Sequence, residues 1–146
     1  MTWSPVETPA DRVRERAIAD RLEVACGWEL HRFPANHSID YFAEHDGFLV
    51  ANVEIKTRRD RWDPVMIDLE KYLALMASRI LTPGAMPLFV VAYSAPVPWC
   101  GWVDLSRVEP IGARPRVVDG PLTARSTQTK RQATVSIPLT AFTQLP

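Results

Sequence analysis

The chain has 146 residues, 47% of them apolar, with 17 basic and 17 acidic side chains and a formal net charge of zero. That balance excludes a disordered protein, and the length supplies one domain's worth of core, expected to span residues 1–146. It also excludes a uniformly basic nucleic-acid binder, so any charge-based role must be read from where the charges lie.

In chain order, residues 9–26 form the first expected element, a helix from Pro9 to Cys26. Asp11 lies in its first turn, favourable against the helix dipole, and Gly27 follows as a stop signal. Val13, Ala17, Ile18, Leu22, Val24 and Ala25 make a broad apolar stripe, with Glu15 at its edge. Two alternating runs then flank Asp46-Gly47, a hairpin signal because Gly accepts the positive φ of such turns. Along the second run, Val50, Asn52, Glu54 and Lys56 share one face, while Leu49, Ala51, Val53 and Ile55 line the other and read as core. Arg58, Arg59 and Arg61 cluster with Trp62 in an expected loop after this strand. Asp63-Pro64 reads as a helix start, followed at helical spacing by Val65, Leu69, Tyr72, Leu73, Met76 and Ile80, with Lys71 off the stripe. Thr82-Pro83-Gly84 stops that helix, and Pro87–Tyr93 is an apolar run suited to a buried central strand reached by a right-handed crossover. Residues 101–105, 116–118 and 133–139 read as further strands that extend the sheet or build a dimer surface; Ser126–Lys130 reads as a polar loop.

Asp40, Glu54 and Lys56 carry the chemistry. Hard divalent cations take oxygen ligands, commonly from one or two carboxylates, with water and phosphate oxygens completing the shell. Asp40 and Glu54 supply two carboxylates, the Ile55 carbonyl offers a third protein ligand, and Lys56 on the same face is placed to orient water or neutralise developing charge. Mg²⁺, or Mn²⁺, is the expected cofactor. A Glu-x-Lys pair alone is common in surface strands; the whole pattern of strand, tight turn, apolar strand, Glu-x-Lys and helix is more specific. His31, His37 and His45 surround Asp40 in sequence but fit no zinc spacing, and alternation turns His45 away from Asp40.

The same residues resemble the PD-(D/E)xK nuclease superfamily, shared by many restriction endonucleases, archaeal Holliday-junction resolvases and phage exonucleases. The resemblance runs from about Asp11 to Ala95, with residues 96–146 as a C-terminal extension. It departs at one point, Ile39 standing where the name pattern has Pro. It implies an α/β fold: a restriction-endonuclease-like αβββαβ core, a mixed central sheet flanked by helices, with extra C-terminal strands. It implies Asp40, Glu54 and Lys56 at the active site, and a glutamate from the first helix at the metal, Glu15 ahead of Glu23. It makes Lys71 a candidate helper near the phosphate.

Charge distribution fits a polyanionic substrate. Residues 1–105 hold 11 basic and 15 acidic side chains, residues 106–146 hold 6 and 2. Arg58, Arg59 and Arg61 put cations beside the acidic site, where DNA would need them. The uncharged stretch from 82 to 103 is broken as a membrane span by Pro83, Pro87, Pro96 and Pro98. No hydrophobic segment follows a basic start, so a cytoplasmic phage or bacterial protein is expected, with Cys26 and Cys100 as reduced thiols. The expected function is a metal-dependent nuclease hydrolysing DNA phosphodiesters through metal-activated water. The alternatives are a non-cleaving nucleic-acid-binding module of the same fold, or a subunit dependent on a helicase or recombination partner. A homodimer is a further expectation.

Overall fold

The computed structural model of the chain describes residues 8–110, 116–121 and 129–146. Helix α1 spans Pro9–Cys26, as its sequence predicts. Thr8 caps it: its hydroxyl accepts from the Asp11 amide while the Asp11 carboxylate accepts from the Thr8 amide at 3.0 Å, a reciprocal capping box. Gly27 ends the helix in the left-handed region at φ 70°. The buried stripe is narrower than the sequence suggests. Ile18, Ala19 and Leu22 are buried, whereas Val13 and Val24 are exposed.

Strands β1 (Glu29–Arg32), β2 (Tyr41–His45) and β3 (Phe48–Asp60) form an antiparallel meander, turning at Asp46-Gly47 with both residues at positive φ. After β3 come β4 (Val65–Asp68), helix α2 (Leu69–Leu81) and β5 (Met86–Ala95), which lies parallel to β3. Then follow β6 (Trp99–Asp104), β7 (Arg116–Pro121), β8 (Thr129–Ile137) and the short β9 (Thr143–Gln144). One sheet has the order β1-β2-β3-β5-β6-β9; a second has the order β4-β8-β7.

The six-stranded sheet separates two cores. Ala51, Val53 and Ile55 of β3 pack towards α1 with Leu30, Tyr41, Leu88 and Val90. On the other side Phe89, Val91 and Tyr93 of β5 pack with Leu75 of α2, Val65 and Ile67 of β4, and Val135 and Ile137 of β8. The C-terminal extension is therefore built into the structure, through β8 in the second core and through β9 on the edge of the main sheet.

Three local expectations are corrected. Asp63-Pro64 does not open the second helix: the peptide is cis, β4 follows it, and α2 begins only at Leu69. Val65 and Ile67 alternate inward while β4 pairs with Ile137–Thr134 of β8, so a long-range strand partner overrides the local cap signal. Arg58 and Arg59 lie within β3 rather than in a loop, because pairing with β5 continues to Asp60 opposite Ala95. Of the expected polar loop, Thr129 and Lys130 belong to β8 and Ser126–Gln128 fall outside the described residues. No described helix is long and apolar enough to cross a membrane.

Candidate active site

Register brings the two carboxylates together. Tyr41 of β2 stands opposite Val53 of β3, so Asp40, one residue before Tyr41, comes level with Glu54. The Ile55 amide donates to Asp40 Oδ2 at 3.1 Å, which orients that carboxylate. Glu54 neighbours Phe89 across the parallel pair and faces the α2 side of the sheet, where it is only 5% exposed. Lys71 of α2 reaches in from above: its Nζ lies 3.4 Å from Glu54 Oε1 and donates to the Ser38 carbonyl at 2.9 Å. The helix lysine thus ties α2 to both Glu54 and the segment that carries Asp40.

Glu54 Oε2 is buried and accepts no hydrogen bond. Burial, and then the neighbouring Asp40, push the Glu54 carboxyl up from 4.5 to about 8, with Lys71 and Lys56 pulling the other way. Two lysines do not offset the desolvation of this carboxylate. A divalent cation on the free oxygen would supply the missing positive charge, so the donor set fits one: two carboxylates, one with an unused buried oxygen, at a site of all-oxygen donors. Lys56 is exposed on the same face of β3, two residues along. Glu54, Lys56 and Arg58 of β3, Ile67 and Asp68 of β4, and Lys71 of α2 line a shallow cleft. Asp68 was not legible as a cleft residue, because the sequence places it inside a helix. It occupies the N-cap position of α2 yet makes no side-chain cap hydrogen bond.

The remaining candidates go elsewhere. Glu15 pairs with Arg32 at 2.8 Å, and that guanidinium lies 5.9 Å from the Tyr41 ring centroid, on the α1 side of the sheet. Glu23 pairs with Arg16 at 2.6 Å and accepts from the Leu30 amide at 2.8 Å. Both helix acids clamp α1 to β1, whereas Glu54 faces α2. Of the arginines, Arg58 lines the cleft and donates to the Met66 carbonyl. Arg59 is exposed on the alternate face of β3, and Arg61 covers Trp99 at 5.1 Å from the ring centroid. Ile55 keeps its side chain in the α1-side core. The histidines separate as well. His31 Nε2 contacts Glu44 at 2.6 Å, His37 Nδ1 accepts from the Ile39 amide, and His45 Nδ1 lies 3.0 Å from the Gly27 carbonyl. Glu29, His31 and Glu44 do converge, but as a cross-strand group on the β1–β2 edge, with Glu29 opposite Glu44.

The model of a family described as "Phage putative PDDEXK endonuclease" matches residues 2–145. Among solved structures, the chain is similar to Hjc of Archaeoglobus fulgidus, a Holliday junction resolvase from an archaeal hyperthermophile, at 14% identity and a TM-score of 0.50 over 88% of this chain and 87% of that one. At that identity the likeness is one of fold: a restriction-endonuclease-like mixed sheet flanked by helices. No curated protein matches the sequence.

Proposed function

Because the chain belongs to the phage PDDEXK endonuclease family, we propose that it is a divalent-metal-dependent endonuclease that hydrolyses phosphodiester bonds in DNA at the Asp40–Glu54 centre. One observation carries this reading: a buried glutamate oxygen without a partner, beside a second carboxylate and between two lysines. A purely structural glutamate in that position would be a net cost to the fold.

Asp40, Glu54 and the Ile55 carbonyl would hold Mg²⁺ or Mn²⁺. When bound, such a cation polarises a phosphoryl oxygen and lowers the pKa of a coordinated water. The protein's own groups do the rest. The Ile55 amide fixes the Asp40 carboxylate through its 3.1 Å hydrogen bond. Lys71 holds Glu54 in place and offsets part of its charge, so the carboxylate is preorganised before substrate arrives. Lys56 stands exposed in the cleft, where its ammonium orients the attacking water and stabilises charge on the phosphorane. Arg58 presents a guanidinium on the cleft wall for a neighbouring phosphate.

Incubation of circular and linear DNA with the wild type, Asp40→Ala and Glu54→Ala, in Mg²⁺, Mn²⁺ or EDTA, tests the proposal. Metal-dependent cutting by the wild type alone is expected. Undiminished cutting by either folded variant contradicts it.

A further inference from the structure

The strand that carries Glu54 has a far end that the proposed chemistry leaves unused. β3 continues past Lys56 and Arg58 to Asp60, roughly 20 Å beyond Glu54 at the usual rise per residue. Pairing with β5 persists one residue further, the Arg61 amide donating to the Ala95 carbonyl at 3.1 Å. The chain then turns at Trp62 and returns as β4, whose Ile67 and Asp68 form the opposite wall of the cleft. Arg58 ties the two walls together by donating to the Met66 carbonyl. Asp63 pins the turn itself, accepting from the Leu139 amide at 3.1 Å.

Trp62 therefore stands on a held turn beyond Lys56 and Arg58, outside the residues that line the cleft, and it is 64% exposed. The other tryptophans among the described residues are occupied. Trp99 packs against Arg61, Tyr93 and Phe142, while Trp28 and Trp102 lie against the α1-side core. Leaving most of an indole in water forgoes burial of a large apolar surface, and here the chain does so just past the end of the strand that carries Lys56 and Arg58. An exposed indole beyond a cationic strand face is what a nucleobase with a free face stacks on. Bases within a duplex have both faces covered by their neighbours, so the ligand is an unpaired base.

We propose that Trp62 is a stacking subsite for an unpaired nucleobase, a few nucleotides along the strand from the phosphate held at Asp40 and Glu54. This rests on the nuclease reading and extends it to a substrate class: DNA with single-stranded character close to the cut. Arg58 holds the intervening backbone, and the pinned turn sets the distance between cut and stacked base.

The test compares wild type, Trp62→Ala and Trp62→Phe, each bound to a single strand, a duplex with a single-stranded extension and a blunt duplex, with Ca²⁺ in place of Mg²⁺. Loss of one stacked base lowers the affinity of Trp62→Ala about tenfold for the first two DNAs and leaves the blunt duplex unchanged. Trp62→Phe recovers most of the loss, which a merely structural role would not allow. Equal affinities across all three DNAs, or an equal loss on the blunt duplex, overturn the stacking subsite while wild-type cleavage leaves the nuclease reading intact. A wild type that neither binds nor cuts any of the three overturns both.

Discussion

Glu54→Gln removes a charge and keeps the shape of a side chain that the metal-free fold holds at a loss. In the folded protein the carboxyl titrates near 8 rather than 4.5, chiefly through burial and then through Asp40. A carboxyl raised in this way binds its proton more tightly in the folded state than in the unfolded one. Its stabilising contribution is therefore complete below about pH 4.5 and is lost as pH rises through 8. At about 1.4 kcal/mol per pH unit the full loss is about 5 kcal/mol, and water entry and local relaxation reduce it to on the order of 2–4 kcal/mol. Glutamine has no such slope. Urea unfolding in EDTA at about pH 5 and pH 9, run on both proteins, reads the effect of Glu54 and the groups coupled to it, because titrations elsewhere cancel in the difference. The two should be close in stability at the lower pH, and the variant should be the more stable at the higher pH while cleaving nothing. Parallel pH profiles would refute the inference that Glu54 is a buried charge awaiting a cation.

Two further outcomes follow from the same geometry. Lys71→Met removes the cation 3.4 Å from Glu54, so the carboxyl should rise further and the pH-dependent loss of metal-free stability should extend to higher pH; single-turnover cleavage should fall by about tenfold or more, with Lys71→Arg recovering part of it. Ile137→Ala empties a fully buried position where β8 meets β4, and should cost about 2–5 kcal/mol in chemical denaturation, a loss not expected of a loosely attached tail.

Local pattern made much of this molecule legible. Helix α1 is bracketed by a first-turn acid and a left-handed glycine, and alternation along β3 put Glu54 and Lys56 on one face with Ala51, Val53 and Ile55 on the other. Both faces of β3 prove to be covered, since Asn52 and Glu54 are buried too. What escaped the sequence depends on partners distant along the chain. β4 imitates a capped helix start until its pairing with β8 is known. Lys71 is indistinguishable from any helix lysine until the crossover sets it over Glu54. Arg61 reads as a phosphate contact next to Arg58, yet the β5–β6 pair presents Trp99 beneath it. Glu15 and Glu23 sit on a plausible helix face for the site, but arginines Arg32 and Arg16 take them on the α1 side.

The most direct measurement is calorimetric titration of the DNA-free protein with Mn²⁺ near pH 7, repeated in buffers of different ionisation enthalpy, for the wild type and Asp40→Ala. With Glu54 titrating near 8, a cation that takes its carboxylate should displace close to one proton per ion bound, and Asp40→Ala should weaken the binding severely. Absence of binding, or binding that releases no proton and ignores the loss of Asp40, would contradict a metal centre at Asp40 and Glu54.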